Sequence, residues 1–109
     1  MLTYEEFLKV DMRIGKIIGV EDFPAAKKPS YKLKLDLGPE IGIKASCSQL
    51  THFYKKEELL CRYVVCVVNF PPKMIADFSS EVLTLGVWTD SGVVYLQPER
   101  GVRPGLRIS

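Results

Sequence analysis

Between Phe23 and Leu35 the chain carries four lysines, Lys27, Lys28, Lys32 and Lys34, and no acidic residue. Ammonium groups spaced this way can neutralise the phosphates of a polyanion and release its counterions, which gives salt-sensitive affinity and little discrimination among bases. The same run also fits an ordinary solvated face. Other chemistries find less material. The single histidine, His52, and the three cysteines, Cys47, Cys61 and Cys66, contain no pair at the two-residue spacing of a zinc site. His52 lies in no triad motif that would supply a thiol or hydroxyl with its base. Gly15 and Gly19 are not followed by the Gly-Lys-Ser/Thr of a phosphate-cradling loop. The residues therefore predict a binding protein with no metal, no cofactor and no catalytic step.

Charge is distributed unevenly around a net value of only +2, so a nucleic-acid signal has to come from its placement. Acids cluster at Glu5/Glu6, Glu21/Asp22 and Glu57/Glu58, away from the lysine run, and the C-terminal stretch adds Arg100, Arg103 and Arg107 against Glu99. At 109 residues, 47% of them hydrophobic, the chain can fill one core and not two. No apolar run reaches the roughly 18 residues of a membrane span, and residues 1–20 are broken by Glu5, Glu6, Lys9, Asp11 and Arg13. An odd number of cysteines without a C-x-x-C fits reduced thiols. A cytoplasmic protein off the membrane is expected.

The elements that must position the lysines follow from periodicity. Thr3 and Glu6 have capping-box spacing, predicting a short helix from Tyr4 to Leu8. Residues 12–20 read as a strand with Met12, Ile14, Ile18 and Val20 in one phase, and Gly15 and Gly19 suggest a sharp coil within it. Residues 31–37 alternate strictly, with Tyr31, Leu33, Leu35 and Leu37 on one face and Lys32, Lys34 and Asp36 on the other. After a turn at Gly38-Pro39-Glu40, alternation resumes: Ile41, Ile43, Ala45 and Cys47 are expected inward, with Lys44, Ser46 and Ser48 outward. Residues 55–60 favour helix, and residues 63–68 form an apolar run typical of a strand covered on both faces. Pro71 and Pro72 break the ladder, after which residues 82–88 and 93–96 flank Asp90-Ser91-Gly92 as a hairpin. This order predicts a single-domain, mainly β chain: a five-stranded Greek-key barrel with a helix between strands three and four, a short N-terminal helix and an extra C-terminal hairpin.

Four blocks carry a family resemblance. Residues 7–17 (FLKVDMRIGKI) resemble the opening motif of the tRNA-binding domains appended to methionyl- and phenylalanyl-tRNA synthetases. Residues 20–34 (VEDFPAAKKPSYKLK), 67–75 (VVNFPPKMI) and 80–83 (SEVL) resemble the free-standing CsaA group of that family. The similarity runs from about Tyr4 to Ser109. It implies an oligonucleotide-binding (OB) barrel, a homodimer, and tRNA bound through shape and backbone contacts, with an aminoacyl-tRNA synthetase as a further partner. It equally implies an export chaperone that binds unfolded preproteins. One departure stands out: the appended domains have a glycine-methionine pair where this chain has Glu81-Val82.

In an OB barrel the ligand lies on the outer face of strands two and three, here expected to carry Lys32, Lys34, Lys44, Ser46 and Ser48. Arg13 and Lys73 fall in matched blocks and are candidates for phosphate contact. Asn69 either satisfies turn amides before Pro71 or offers its amide to a base edge or ribose. Ser80, like Ser46 and Ser48, is a weaker case of the same choice. Phe53, Tyr54 and Phe78 are the aromatics placed to stack unpaired bases. Phe70, Met74 and Phe78 could instead form an apolar groove for extended peptide. The N-terminal helix and C-terminal segment are the expected dimer contacts, since neither can bury its apolar residues alone.

Overall fold

A computed structural model describes residues 1–109. The capping box forms as the spacing requires. The Glu6 N–H donates to Thr3 Oγ1 at 3.2 Å and the Thr3 N–H donates to Glu6 Oε1 at 3.0 Å, starting α1 at Tyr4–Leu8. β1 (Met12–Asp22) then pairs antiparallel with β2 (Tyr31–Asp36). A one-residue bulge falls between Ile17 and Gly19. It moves Ile18 to the surface and leaves Ile17 wholly buried, so the expected shared phase of Ile14, Ile18 and Val20 does not hold. The turn after β2 is one helical turn, α2 (Gly38–Ile41), and β3 (Ile43–Ser48) returns beside β2.

α3 (Lys56–Leu59) precedes β4 (Tyr63–Val67), whose residues from Val64 to Val67 are all buried, as the apolar run predicted. Pro71-Pro72 is followed by a hairpin the sequence did not announce, β5 (Lys73–Ile75) with β6 (Phe78–Ser80). Its turn uses Ala76 at φ 53 in place of glycine. β7 (Leu83–Thr84) joins β4, and β8 (Gly86–Trp88) pairs with β9 (Val93–Tyr95) as the C-terminal hairpin.

The principal sheet has the order β3-β2-β1-β4-β7. Its free edges nearly meet, because the Ala45 carbonyl accepts from the Glu81 N–H at 2.8 Å and the Val82 N–H at 3.3 Å. The result is the nearly closed antiparallel barrel expected from the element order. Inside it, Ile17, Leu33, Leu35, Leu37, Leu50, Leu59, Val64 and Cys66 are at most 2% exposed. Each large aliphatic side chain buried this fully stabilises the fold by about 1.5–3 kcal/mol. No helix is long and apolar enough to cross a membrane.

Candidate nucleic-acid interface

Register decides which side chains share the outer face, because directly opposed residues of an antiparallel pair point the same way. Lys32 opposes Glu21 on β1 and Cys47 on β3, while Lys34 opposes Gly19 and Ala45. These six residues lie on the outward side of β1, β2 and β3, with Ala45 and Cys47 partly covered by the chain at Ser80 and Glu81. Lys27 and Lys28 lie exposed in the β1–β2 loop, at one end of it. Gly19 leaves room for Lys34: a Cβ there would sit 3.2 Å from the Lys34 Cβ.

Lys32 is held. Its ammonium lies 4.8 Å from the Phe23 ring centroid and 5.2 Å from that of Phe78, and the two rings meet edge to face at 5.4 Å. Such contacts contribute about 0.5–1 kcal/mol each at exposed sites. Beside them is a cleft of about 350 Å³ lined by Gly19, Lys34, Ile43, Lys44, Phe78 and Glu81, among others. Glu81 Oε1 accepts from the Ala45 N–H at 3.0 Å, and Glu81 Oε2 lies 4.0 Å from Lys44 Nζ. Sequence reasoning marks Glu81 only as a departure and misses its place on this face. An acid following the Ser79-Ser80 pair, within reach of a basic strand, was the available signal.

Several expected contacts sit elsewhere. Ser46 and Ser48 are buried, at 0% and 7% exposure, and not on the outer face. They oppose Leu33 and Tyr31, inside the barrel, and Ser46 Oγ accepts from the Thr84 hydroxyl at 3.0 Å. Lys44 opposes Leu35 and thus springs from the inward phase, although its half-exposed chain reaches Glu81. Conversely Ile43, expected in the core, is 56% exposed. Arg13 is only 11% exposed: its Nε donates to Asp11 Oδ1 at 2.7 Å, its Nη1 to the Gly105 carbonyl at 3.1 Å and its Nη2 to Glu40 at 3.4 Å. That geometry fastens the C-terminal segment to β1 and leaves little of the guanidinium for a ligand. Asn69 Oδ1 accepts from the Asp11 N–H at 3.0 Å and its Nδ2 donates to the Lys9 carbonyl at 2.7 Å, tying the end of β4 to the chain leaving α1. Ser80 Oγ accepts from the Cys47 N–H at 3.0 Å.

Among the aromatics, Tyr54 packs edge to face on Tyr95 at 5.0 Å and borders the core. Phe53 is exposed, against His52. Phe78 lines the cleft of about 350 Å³, the exposed Phe70 does not, and the exposed Met74 points to the opposite face of the β5–β6 hairpin from Phe78, so the three do not form one groove. Phe70 and Lys73 instead border a second, larger cleft of about 510 Å³, with Leu83, Leu85 and the exposed Trp88.

Burial pushes the Cys66 thiol up to about 12, which removes the thiolate that nucleophilic chemistry or metal ligation needs. In the folded protein Cys66 should resist alkylation at pH 8 while exposed Cys61 labels promptly. Mass spectrometry of the modified peptides, before and after denaturation, checks this, and early labelling of Cys66 would contradict its burial.

Residues 12–107 match the family described as "Putative tRNA binding domain". The chain belongs to this tRNA-binding domain family. Solved structures similar over its whole length include two CsaA proteins. A CsaA chaperone protein from Picrophilus torridus has 51% identity and a TM-score of 0.94, with 100% of both chains covered. Chaperone CsaA from Bacillus anthracis has 44% identity and a TM-score of 0.92, covering 100% of this chain and 99% of that one. The chain is also 41% identical over 107 residues to a methionine–tRNA ligase of Pyrococcus furiosus, covering 98% of this chain. It spans only 14% of that ligase's length, so the relative carries this domain as a small part of a much larger enzyme.

Proposed function

We propose that this tRNA-binding domain acts by binding tRNA without catalysis, through the outer face of β1, β2 and β3 and the β1–β2 loop. The observation that carries the reading is that Lys32 and Lys34 stand on the outward side of β2, the middle strand of that face, with Lys27 and Lys28 exposed in the loop at its end, in a chain whose family match spans residues 12–107. Each ammonium replaces counterions on the phosphate backbone, so affinity depends on salt and on the shape of the RNA more than on its sequence. Lys44 and Lys73 extend the cationic surface at its margins. The methionine–tRNA ligase relatives make a synthetase acting in trans a fitting partner.

Purified protein titrated with bulk tRNA across a salt series should show log K falling linearly with log salt. Replacing Lys32 and Lys34 together by alanine should weaken binding about tenfold for all tRNA species alike and shrink the slope by about two. A salt-independent isotherm, or no binding, overturns the proposal.

A second reading has its own observation. The cleft bordered by Phe70, Leu83, Leu85 and Trp88 is mostly apolar and open, and Trp88 is 68% exposed. Two structural neighbours are described as chaperones. On this reading the cleft receives an apolar segment of an unfolded chain. Suppression of client aggregation that persists in high salt and is not competed by tRNA would favour it. The exposed Val87 and Val94, which share the face of the β8–β9 hairpin opposite Trp88, together with Leu96 just beyond it, support a homodimer that covers them, and light scattering showing a monomer at micromolar concentration would count against that.

A further inference from the structure

We infer that the cleft beside Glu81 takes one unpaired guanine base and that Glu81 is the residue selecting it; this rests on the RNA-binding reading above. The cleft, about 350 Å³, brings together what a nucleotide requires. Phe78 supplies an aromatic surface, steadied by Phe23 and by the Lys32 ammonium. Lys34 and Lys44 supply cations at its wall. Glu81 supplies a fixed acceptor.

The fixing is visible at both ends of the residue. Its backbone N–H donates to the Ala45 carbonyl at 2.8 Å, and its Oε1 accepts from the Ala45 N–H at 3.0 Å. Oε2 is left 4.0 Å from Lys44 Nζ, beyond hydrogen-bond length. An ionised carboxylate only accepts, at about four lone-pair sites, and one of these is taken by Ala45. Guanine is the common base whose Watson–Crick edge sets two donors side by side, N1–H and the N2 amino group. Adenine and cytosine place a ring-nitrogen acceptor next to their amino donor, and that acceptor would face the carboxylate. In uracil two carbonyls flank the single N3–H. A duplex hides this edge, so the base must come from a loop or a single-stranded end. An acid on a phosphate-binding face repels the backbone, and a charge-assisted bond to a base edge offsets that repulsion for guanine alone.

The test uses short uridine-rich single strands bearing one central guanosine, inosine or adenosine, bound to the full chain and followed by fluorescence anisotropy. Guanosine should bind roughly tenfold more tightly than adenosine, with inosine, which lacks the N2 amino group, in between. Glu81→Gln keeps an oxygen for the Ala45 N–H and should erase the preference while leaving the salt slope unchanged. Equal affinity of the unaltered protein for all three strands overturns the inference. So does Glu81→Gln tightening all three equally, which would mean that Glu81 only repels phosphate. The inosine strand tests the idea on the unaltered protein, so a Glu81→Gln variant that fails to fold leaves the result readable. Salt-dependent tRNA binding without base preference overturns this inference alone; loss of tRNA binding itself would overturn the function proposed above.

Discussion

Gly105→Ala is expected to destabilise the protein by about 3 kcal/mol or more, lowering Tm by on the order of 10 °C. Gly105 has φ +93, and a Cβ there would lie 2.5 Å from the Leu37 carbonyl oxygen. The left-handed backbone alone costs an L-residue about 1–2 kcal/mol. The clash adds to this because the obstacle is backbone and cannot rotate away. Gly38 faces it, with φ +82, and a Cβ on Gly38 would meet the Pro104 carbonyl oxygen at 2.5 Å. Forcing the two segments apart disturbs the bonds that clasp β1: Gly105 N–H to Ile14 O at 2.7 Å, Ile14 N–H to Leu106 O at 3.0 Å and Ile108 N–H to Met12 O at 2.9 Å. Gly42 is the control, since it has φ +88 but a methyl group there would have nothing within 4 Å. Gly42→Ala should therefore show a backbone cost, there that of a φ 88, ψ −160 conformation open almost only to glycine, without the clash between segments. Replacing Gly38 and Gly105 together should cost less than the sum, because one displacement relieves both contacts. Thermal melts of the single and double variants check this, and equal melting of Gly105→Ala and Gly42→Ala would show that the close approach has no energetic weight.

Arg13→Ala should cost about 2 kcal/mol of stability while leaving the RNA affinity of the folded protein unchanged at pH 7. It removes the bond to the Gly105 carbonyl and leaves Asp11 with only Arg107, whose Nε is 3.6 Å away. The hydrogen bond from the Arg13 guanidinium, above all, holds the Asp11 carboxyl below its ordinary value of 3.8, against a smaller opposing effect of burial. A carboxyl lowered in the folded state binds fewer protons there than in the unfolded chain. Its contribution is thus complete above the ordinary carboxylate range and is lost as the pH falls through the lowered value. Denaturant melts between pH 7 and pH 2 should show a shallower acid decline for Arg13→Ala than for the parent. A tenfold loss of tRNA affinity in folded Arg13→Ala would instead return this residue to the ligand surface.

Much of the barrel was legible because its central strands obey one simple rule. In β2 one face meets the core and the other meets solvent, so strict alternation put Leu33 and Leu35 inside and Lys32 and Lys34 outside, where they lie. β3 broke the rule because it has cover on both sides. Ala45 and Cys47 are half-buried by the chain at Ser80 and Glu81, while Ser46 enters the core with its hydroxyl satisfied by Thr84. Hydropathy cannot phase a strand whose interior positions are serines. In β1 the bulge after Ile17 changed phase midway, and the only trace of that in the sequence is the nearby pair of glycines. The candidate site was legible to the same extent: the β2 lysines came from alternation, whereas Glu81 and the Phe23–Phe78 clamp depend on barrel closure and on a hairpin with no glycine at its turn.

On the RNA-binding reading proposed above, the clamp would also divide labour in time. Lys27 and Lys28 are free to sweep solvent ahead of the barrel, and long-range attraction acts on such groups during approach. Lys32 rests against the two rings, so docking a phosphate on it would carry a smaller ordering cost. On that reading added salt should slow arrival through the loop lysines, while Lys32→Ala should mainly shorten the residence of bound RNA.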